Sequence, residues 1–274
     1  AVIVVPLVVA LPTAQALVAV CTVPTLLGYW KSEYGVSYAY ALATMAAGLL
    51  IVKAANTQVA AMHAGCLILY GLRLGLFLLY RETSIQRFRE FREKIEARAS
   101  EKGSRLGRTP FILGCSFLYL GLAAPLMVTA PAAVMHPAAA VAVGCMYLGW
   151  AIAAIGDLQK TFAKARDGPD ALVTGGLFSL LRHPNYTGEM LLWTSSVVTA
   201  FVTAVATGTV ATAGGWLVLS VLGAVGINFV LLQASTGLEK KQKEKYGAET
   251  SPSKDAYGAW TKNVWSGPVL PQKS

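Results

Sequence analysis

An all-α, polytopic membrane bundle is the fold class this sequence predicts. Three observations carry it: 55% of the 274 residues are hydrophobic, only 14% are charged, and mean hydropathy is +0.53. Such a composition belongs to chains whose solvent is lipid. In hydrocarbon every backbone polar group must be satisfied internally, so helices follow and no sheet is expected.

Apolar stretches able to cross roughly 30 Å of hydrocarbon fall at residues 2 to 28, 36 to 52, 58 to 80, 110 to 130, 138 to 156, 189 to 207 and 212 to 232, about seven transmembrane helices. The second is short. The first carries Pro6, Pro12 and Pro24, which leaves kinked, re-entrant or in-plane arrangements open for both.

Charge placement supports the odd count. Nine Lys/Arg and five Glu lie in 81 to 109, four and three charges of the two signs in 157 to 182, and seven and four in the tail from Glu239. The opposite connections hold Lys53 and no other Lys, Arg, Asp or Glu. The positive-inside rule then puts the C-terminus on the cytoplasmic, stromal or matrix side. A net charge of +9 is accounted for by topology. No nucleic-acid partner is expected, because the basic residues alternate with acids and no stacking platform accompanies them.

The chain begins at Ala1, and its first stretch lacks the charged region that opens a secretory signal. That fits the endoplasmic reticulum or, for a processed chain, a plastid or mitochondrial membrane. Cys21, Cys66, Cys115 and Cys145 each stand alone in an apolar span, without zinc or dithiol spacing, and read as small buried hydrophobes. No metal is expected.

Residues 1 to 80 form charge-poor N-terminal spans. In 85 to 99, Ile85, Phe88, Phe91, Ile95 and Ala99 recur at helical steps among Arg and Glu, the pattern of an amphipathic helix at the membrane surface. The remainder, 110 to 274, completes a single membrane domain. Its Ala- and Gly-rich spans suit close helix packing.

The densest chemistry is the run Arg182-His183-Pro184-Asn185-Tyr186-Thr187-Gly188-Glu189, placed where an apolar span begins. Pro184 suits the first helical turn and keeps His183 out of it, so His183 should cap the helix. The free N–H groups of that helix start, with Arg182 beside them, would suit an anion. Asn185, Glu189 and Trp193 are spaced by four and share a face. A carboxylate at the head of a span must be solvated, paired or functional, which singles out Glu189.

Asp157, Lys160 and the Gly175-Gly176 turn lie upstream; Glu239, Tyr246, Tyr257 and Trp260 lie downstream. Together these blocks offer cations for phosphates, carboxylates for ribose hydroxyls and rings for a flat heterocycle.

Gly176-Leu177-Phe178, the Arg182 to Tyr186 run and Gly188-Glu189 resemble the signature of the membrane family of steroid 5α-reductases and their uncharacterised 5α-reductase-like relatives. Asp157 to Lys160, Gly71 to Gly75 and the Glu239 to Trp260 tail resemble the uncharacterised branch; the likeness covers roughly 70 to 270. It implies a cofactor pocket in the C-terminal half, with Asp157, Lys160, Arg182, His183, Asn185, Tyr186, Glu189, Glu239, Tyr246 and Tyr257 lining it. NADPH is the cofactor implied, and a lipophilic enone entering from membrane lipid is the substrate. Glu189, Tyr186, Tyr70 and Arg73 are then the catalytic candidates.

The related isoprenylcysteine carboxyl methyltransferases use a similar pocket for S-adenosylmethionine, but usually show two adjacent glutamates where Glu239 is followed here by Lys240. The Gln-Glu pair of the steroid reductases is absent, since Val59 follows Gln58. That departure leaves a third reading open, a subunit of a membrane complex that keeps the fold without its catalysis.

Overall fold

A computed structural model describes residues 12–101 and 103–270. Those residues form helices and connecting turns, with one isolated bridge between Leu181 and Trp265. In order, the helices are α1 (Ala14–Thr22), α2 (Leu27–Trp30), α3 (Ser37–Val52), α4 (Gln58–Ser84), α5 (Gln86–Glu101), α6 (Thr109–Thr129), α7 (Pro137–Asp167), α8 (Pro184–Thr207), α9 (Gly214–Tyr246) and α10 (Lys254–Asn263).

Six are long and apolar enough to span a membrane: Ser32–Val52 with its leading 3-10 turn, α4, Arg105–Thr129, α7, α8 and α9. The short 36 to 52 stretch thus qualifies. The first of the seven expected spans does not, as far as it is described. Pro24 interrupts it with a 3-10 turn at Val23–Leu26, leaving an apolar segment of Ala14–Trp30; residues 1 to 11 lie outside the described part.

Several helices outrun their apolar windows. The expected spans 138 to 156 and 212 to 232 continue as α7 and α9 to Asp167 and Tyr246. Lys and Arg in the last turns offset the helix dipole, so charge prolongs these helices where hydropathy stops reading them. Local signals set the starts. Thr57 caps α4 through the Ala60 N–H at 3.2 Å, and prolines open α6, α7 and α8.

The chain divides into two compact units, one taking residues up to Val143 with Ser196–Ala224, the other Gly144–Ser195 with the chain from Val225.

In the first unit α3 and α4 pack along Ala41, Ala43, Ala47, Ala60 and Ala64, all essentially inaccessible. Gly121 of α6 and Gly223 of α9 meet so closely that a Cβ on Gly121 would lie 2.7 Å from the other's Cα. This unit also buries His63 completely. Its Nδ1 lies 3.1 Å from the Thr129 hydroxyl and its Nε2 2.9 Å from that of Ser196, so three helices share one imidazole. Tyr40 stacks on Tyr119 at 5.4 Å and meets Tyr70 edge-on at 5.5 Å.

Helix α5 belongs to the first unit and departs from a merely solvated surface helix. Its buried side includes Arg92, which bridges Glu33 at 3.1 Å and Glu82; Tyr34 and Tyr38 donate to the same Glu82. Glu96 accepts from Arg108 at 2.7 and 3.2 Å and from the Ser32 N–H at 2.8 Å. Burial alone would raise the Glu96 carboxyl, but the Arg108 and Ser32 hydrogen bonds and the nearby arginines hold it below the usual range.

All four cysteines are free. Cys21, Cys66 and Cys115 are buried as expected, whereas Cys145 is half-exposed.

Candidate functional site

The site-bearing residues of the C-terminal half, apart from the first-unit stretches of α8 and α9, gather in the second unit. Its frame is the close approach of α7 and α8: Gly149 and Gly188 face each other, and a Cβ on either would lie 2.5 Å from the other's carbonyl oxygen. Two turns further along α7, Gly156 backs onto Pro184 and the Asn185 amide, where an added Cβ would meet them at 3.0 and 3.2 Å. Small residues thus bring the α7 stretch holding Asp157 and Lys160 against the start of α8.

The turn before α8 is held from the same stretch. Gly176 has φ +63°, the left-handed region open to glycine, and its Cα hydrogens face the Gln159 amide. Gln159 Oε1 accepts from the Leu177 N–H at 2.9 Å. The backbone then passes Leu181, whose bridge partner is Trp265, and the Arg182 N–H donates to the Trp265 carbonyl at 2.9 Å.

His183 caps α8 as expected, its carbonyl taking the first helical bond from the Thr187 N–H at 3.0 Å. Its side chain does something the sequence does not announce. Nε2 donates to Glu239 Oε1 at 2.7 Å, while Arg182 Nη1 lies 3.2 Å from Oε2. Since an ionised carboxylate only accepts, this contact assigns the proton to Nε2. His183 is 2% exposed and Glu239 8%, and the half-buried Arg182 joins them at the head of a span. The anion beside the α8 start is therefore the protein's own Glu239. Arg182 Nε is buried with no hydrogen-bond partner.

Around the triad stands an aromatic cluster of Phe178, Tyr246, Tyr257 and Trp260. Trp260 Nε1 donates to the Phe178 carbonyl at 2.7 Å, and the Tyr246 hydroxyl to the Ala171 carbonyl at 3.1 Å. The Tyr257 hydroxyl is held above its ordinary range by burial first and the Glu239 charge second, with Arg182 opposing. Tyr257 thus feels both ends of the triad. The Tyr186 ring lies 6.2 Å from that of His183. Asn185, Tyr186 and Glu189 occupy the first two turns of α8, each half-buried.

Of the sequence-predicted residues, Arg182, His183, Glu239, Tyr246 and Tyr257 are drawn together, with Asn185, Tyr186 and Glu189 on the adjoining turns and Asp157 and Lys160 on the α7 stretch behind them. Tyr70 and Arg73 belong to the first unit, where Tyr70 is fully buried. Sequence reading misses Gln159, the Trp265 carbonyl and the closing tail. In that tail Pro268 accepts from Ser235, the Leu270 N–H donates to Thr236, and Gly267 lies where a Cβ would come 2.4 Å from the Thr187 hydroxyl. The Gly-Pro pair at 267 and 268 is the signal that could have found it. Among the described residues no cluster of His, Cys, Asp and Glu could hold a metal ion.

A family profile described as a protein of unknown function, DUF1295, matches residues 30–259. The chain belongs to that family, which includes steroid 5α-reductase-like proteins. Neither the curated proteins nor the solved structures contain a match.

Proposed function

We propose that this DUF1295 member is a membrane-embedded NADPH-dependent reductase that acts on a lipophilic enone reaching it from the bilayer. The observation that carries the reading is the Arg182–His183–Glu239 triad, with His183 and Glu239 buried, beside an aromatic cluster and built from the residues that carry the reductase-like signature. Ionisable groups in such surroundings are costly and mark function by default.

The residues fit the cofactor. Arg182 keeps a buried, unpartnered Nε–H, a donor that a phosphate oxygen would satisfy. The buried Tyr246, Tyr257 and Trp260 give the site an apolar aromatic wall suited to a planar heterocycle, and Asp157 is a carboxylate suited to ribose hydroxyls. Lys160 would offset phosphate charge. When bound, NADPH supplies the hydride.

The chain's own part is electrostatic. Hydride addition to an enone builds negative charge on the carbonyl oxygen, which calls for a donor there and a proton at the neighbouring carbon. We assign the donor to the Tyr186 hydroxyl and the holding of the cofactor's reacting end to Asn185 and Glu189, all on one short stretch of α8. Glu239 followed by Lys240, rather than by a second glutamate, favours the reductase over the S-adenosylmethionine methyltransferase.

The test is a fluorescence titration of the detergent-purified protein with NADPH, competed with S-adenosylmethionine. Saturable NADPH binding that S-adenosylmethionine does not displace is the expected result. Displacement would make the protein a methyltransferase candidate; binding of neither would make it a complex subunit that has lost its cofactor.

A further inference from the structure

We propose that the Trp150 indole N–H, together with the Glu189 carboxylate, holds the primary carboxamide of a nicotinamide ring; the inference rests on the NADPH reading and adds a residue to it. Helices α7 and α8 run antiparallel and touch at two levels, Gly149 against Gly188 and, further out, Gly156 against Pro184. In two antiparallel right-handed helices the residue that follows each contact turns to the same side of the crossing. Those four residues are Trp150, Glu189, Asp157 and Asn185. One side of the crossing thus collects four groups able to hydrogen-bond a ligand.

Trp150 is the new member of that set. It lies within the spanning helix Pro137–Asp167, about 9 Å along the axis from the end of the apolar stretch at residue 156. Its Nε1–H is buried and has no hydrogen-bond partner. A tryptophan that anchors a helix at the interface keeps this group among headgroups. At hydrocarbon depth no bulk water satisfies it, and the unmade bond costs free energy. A donor held there without an acceptor fits a ligand that brings one.

The pair at the deeper level is complementary. Trp150 can only donate, and an ionised Glu189 can only accept, at about four lone-pair positions, so its other contacts leave it capacity. A primary carboxamide presents the reverse set on one carbon, an oxygen that accepts beside an NH2 that donates. An adenine edge offers a similar pair, and depth decides between them. The enone arrives from the bilayer, so the hydride-bearing ring belongs at the level of Gly149 and Gly188, inside that of Asp157, and the adenine at the water-side end.

Calorimetric titration of the detergent-purified protein with NADPH, its thionicotinamide analogue and adenosine 2′,5′-bisphosphate tests the assignment. The parent should bind NADPH about fivefold more tightly than the analogue, whose sulfur is the weaker acceptor, as one neutral hydrogen bond would give. Trp150→Phe, which keeps an aromatic ring and removes the N–H, should lose about fivefold toward NADPH. It should also cease to discriminate against the analogue while keeping the parent's affinity for the bisphosphate, which lacks the nicotinamide. Equal affinities of the parent for the two dinucleotides, or a discrimination that survives Trp150→Phe, overturns the proposal and leaves the cofactor reading standing. An equal loss for the bisphosphate overturns it too, since Trp150 would then support the fold or touch the adenine. Failure of the parent to bind NADPH overturns the reductase reading and this proposal with it.

Discussion

His183 Nε2 lies 2.7 Å from Oε1 of Glu239, a residue fifty-six positions later, and Arg182 takes the other oxygen of the same carboxylate. Each partner answers the desolvation cost of the others, so the three stand or fall together. Removing the carboxylate leaves two buried donors, one of them a permanent cation, with nothing to receive them. Glu239→Ala should cost on the order of 3 kcal/mol and abolish NADPH binding. Glu239→Gln, which keeps an acceptor for His183, should cost less. Thermal unfolding in detergent, with the two variants run side by side, checks the order.

Glu189 stands one turn beyond Asn185 on α8, half-buried. Glu189→Gln, which keeps the size of the side chain, is expected to weaken NADPH binding by about tenfold, as loss of one charged hydrogen bond would. Unaltered affinity would remove Glu189 from the assignment.

The crossing of α7 and α8 at Gly149 and Gly188 has no room for a methyl group. Gly188→Ala should destabilise by about 1–3 kcal/mol, the usual range for overpacking, because backbone on both sides must move. Gly144, on the same α7, has open space where a Cβ would stand, with no neighbour within 4 Å, so Gly144→Ala should leave stability unchanged or slightly raise it. Denaturation of the two variants under one set of conditions gives the comparison.

His63 joins Thr129 and Ser196 inside the first unit without exposed surface. Interhelical hydrogen bonds within membranes average about 0.6 kcal/mol, but His63→Leu removes two and strands two hydroxyls. A loss of about 1–2 kcal/mol follows. His63→Gln, able to serve both hydroxyls, should recover part of it.

Acid should loosen α5 before it reaches the core. The folded-state Glu96 carboxyl titrates below its unfolded value, so the Arg108 and Ser32 contacts contribute fully above the unfolded pKa of about 4.3. That contribution fades as pH falls through the lower, folded value. Limited proteolysis between 86 and 101 should accelerate over that window, and Glu96→Gln should already be fast at neutral pH.

Hydropathy and charge make the bundle legible because a span announces itself over some twenty consecutive residues. Pro184 likewise places His183 at a helix cap from two adjacent letters. The partners of those residues are another matter. Nothing near Glu239 in the sequence points to position 183, and Arg92 looks like any other surface arginine until Glu33 and Glu82 are brought to it. Long-range ion pairs have no period. Helix length escapes for a related reason: hydropathy falls at Asp157 and Glu239, yet the backbone there continues unbroken, and the helical extension is what carries those side chains to their places.

The tail from Trp265 to Leu270 fastens to Arg182, Ser235 and Thr236 through backbone groups. Those anchoring points are synthesised well before the segment that closes on them. During translation the triad can form as soon as Glu239 is made, but the loop leading into α8 lacks its last support until residue 265 emerges. Closure of the turn before α8 thus waits on residues 265 to 270, which are made after every group they fasten.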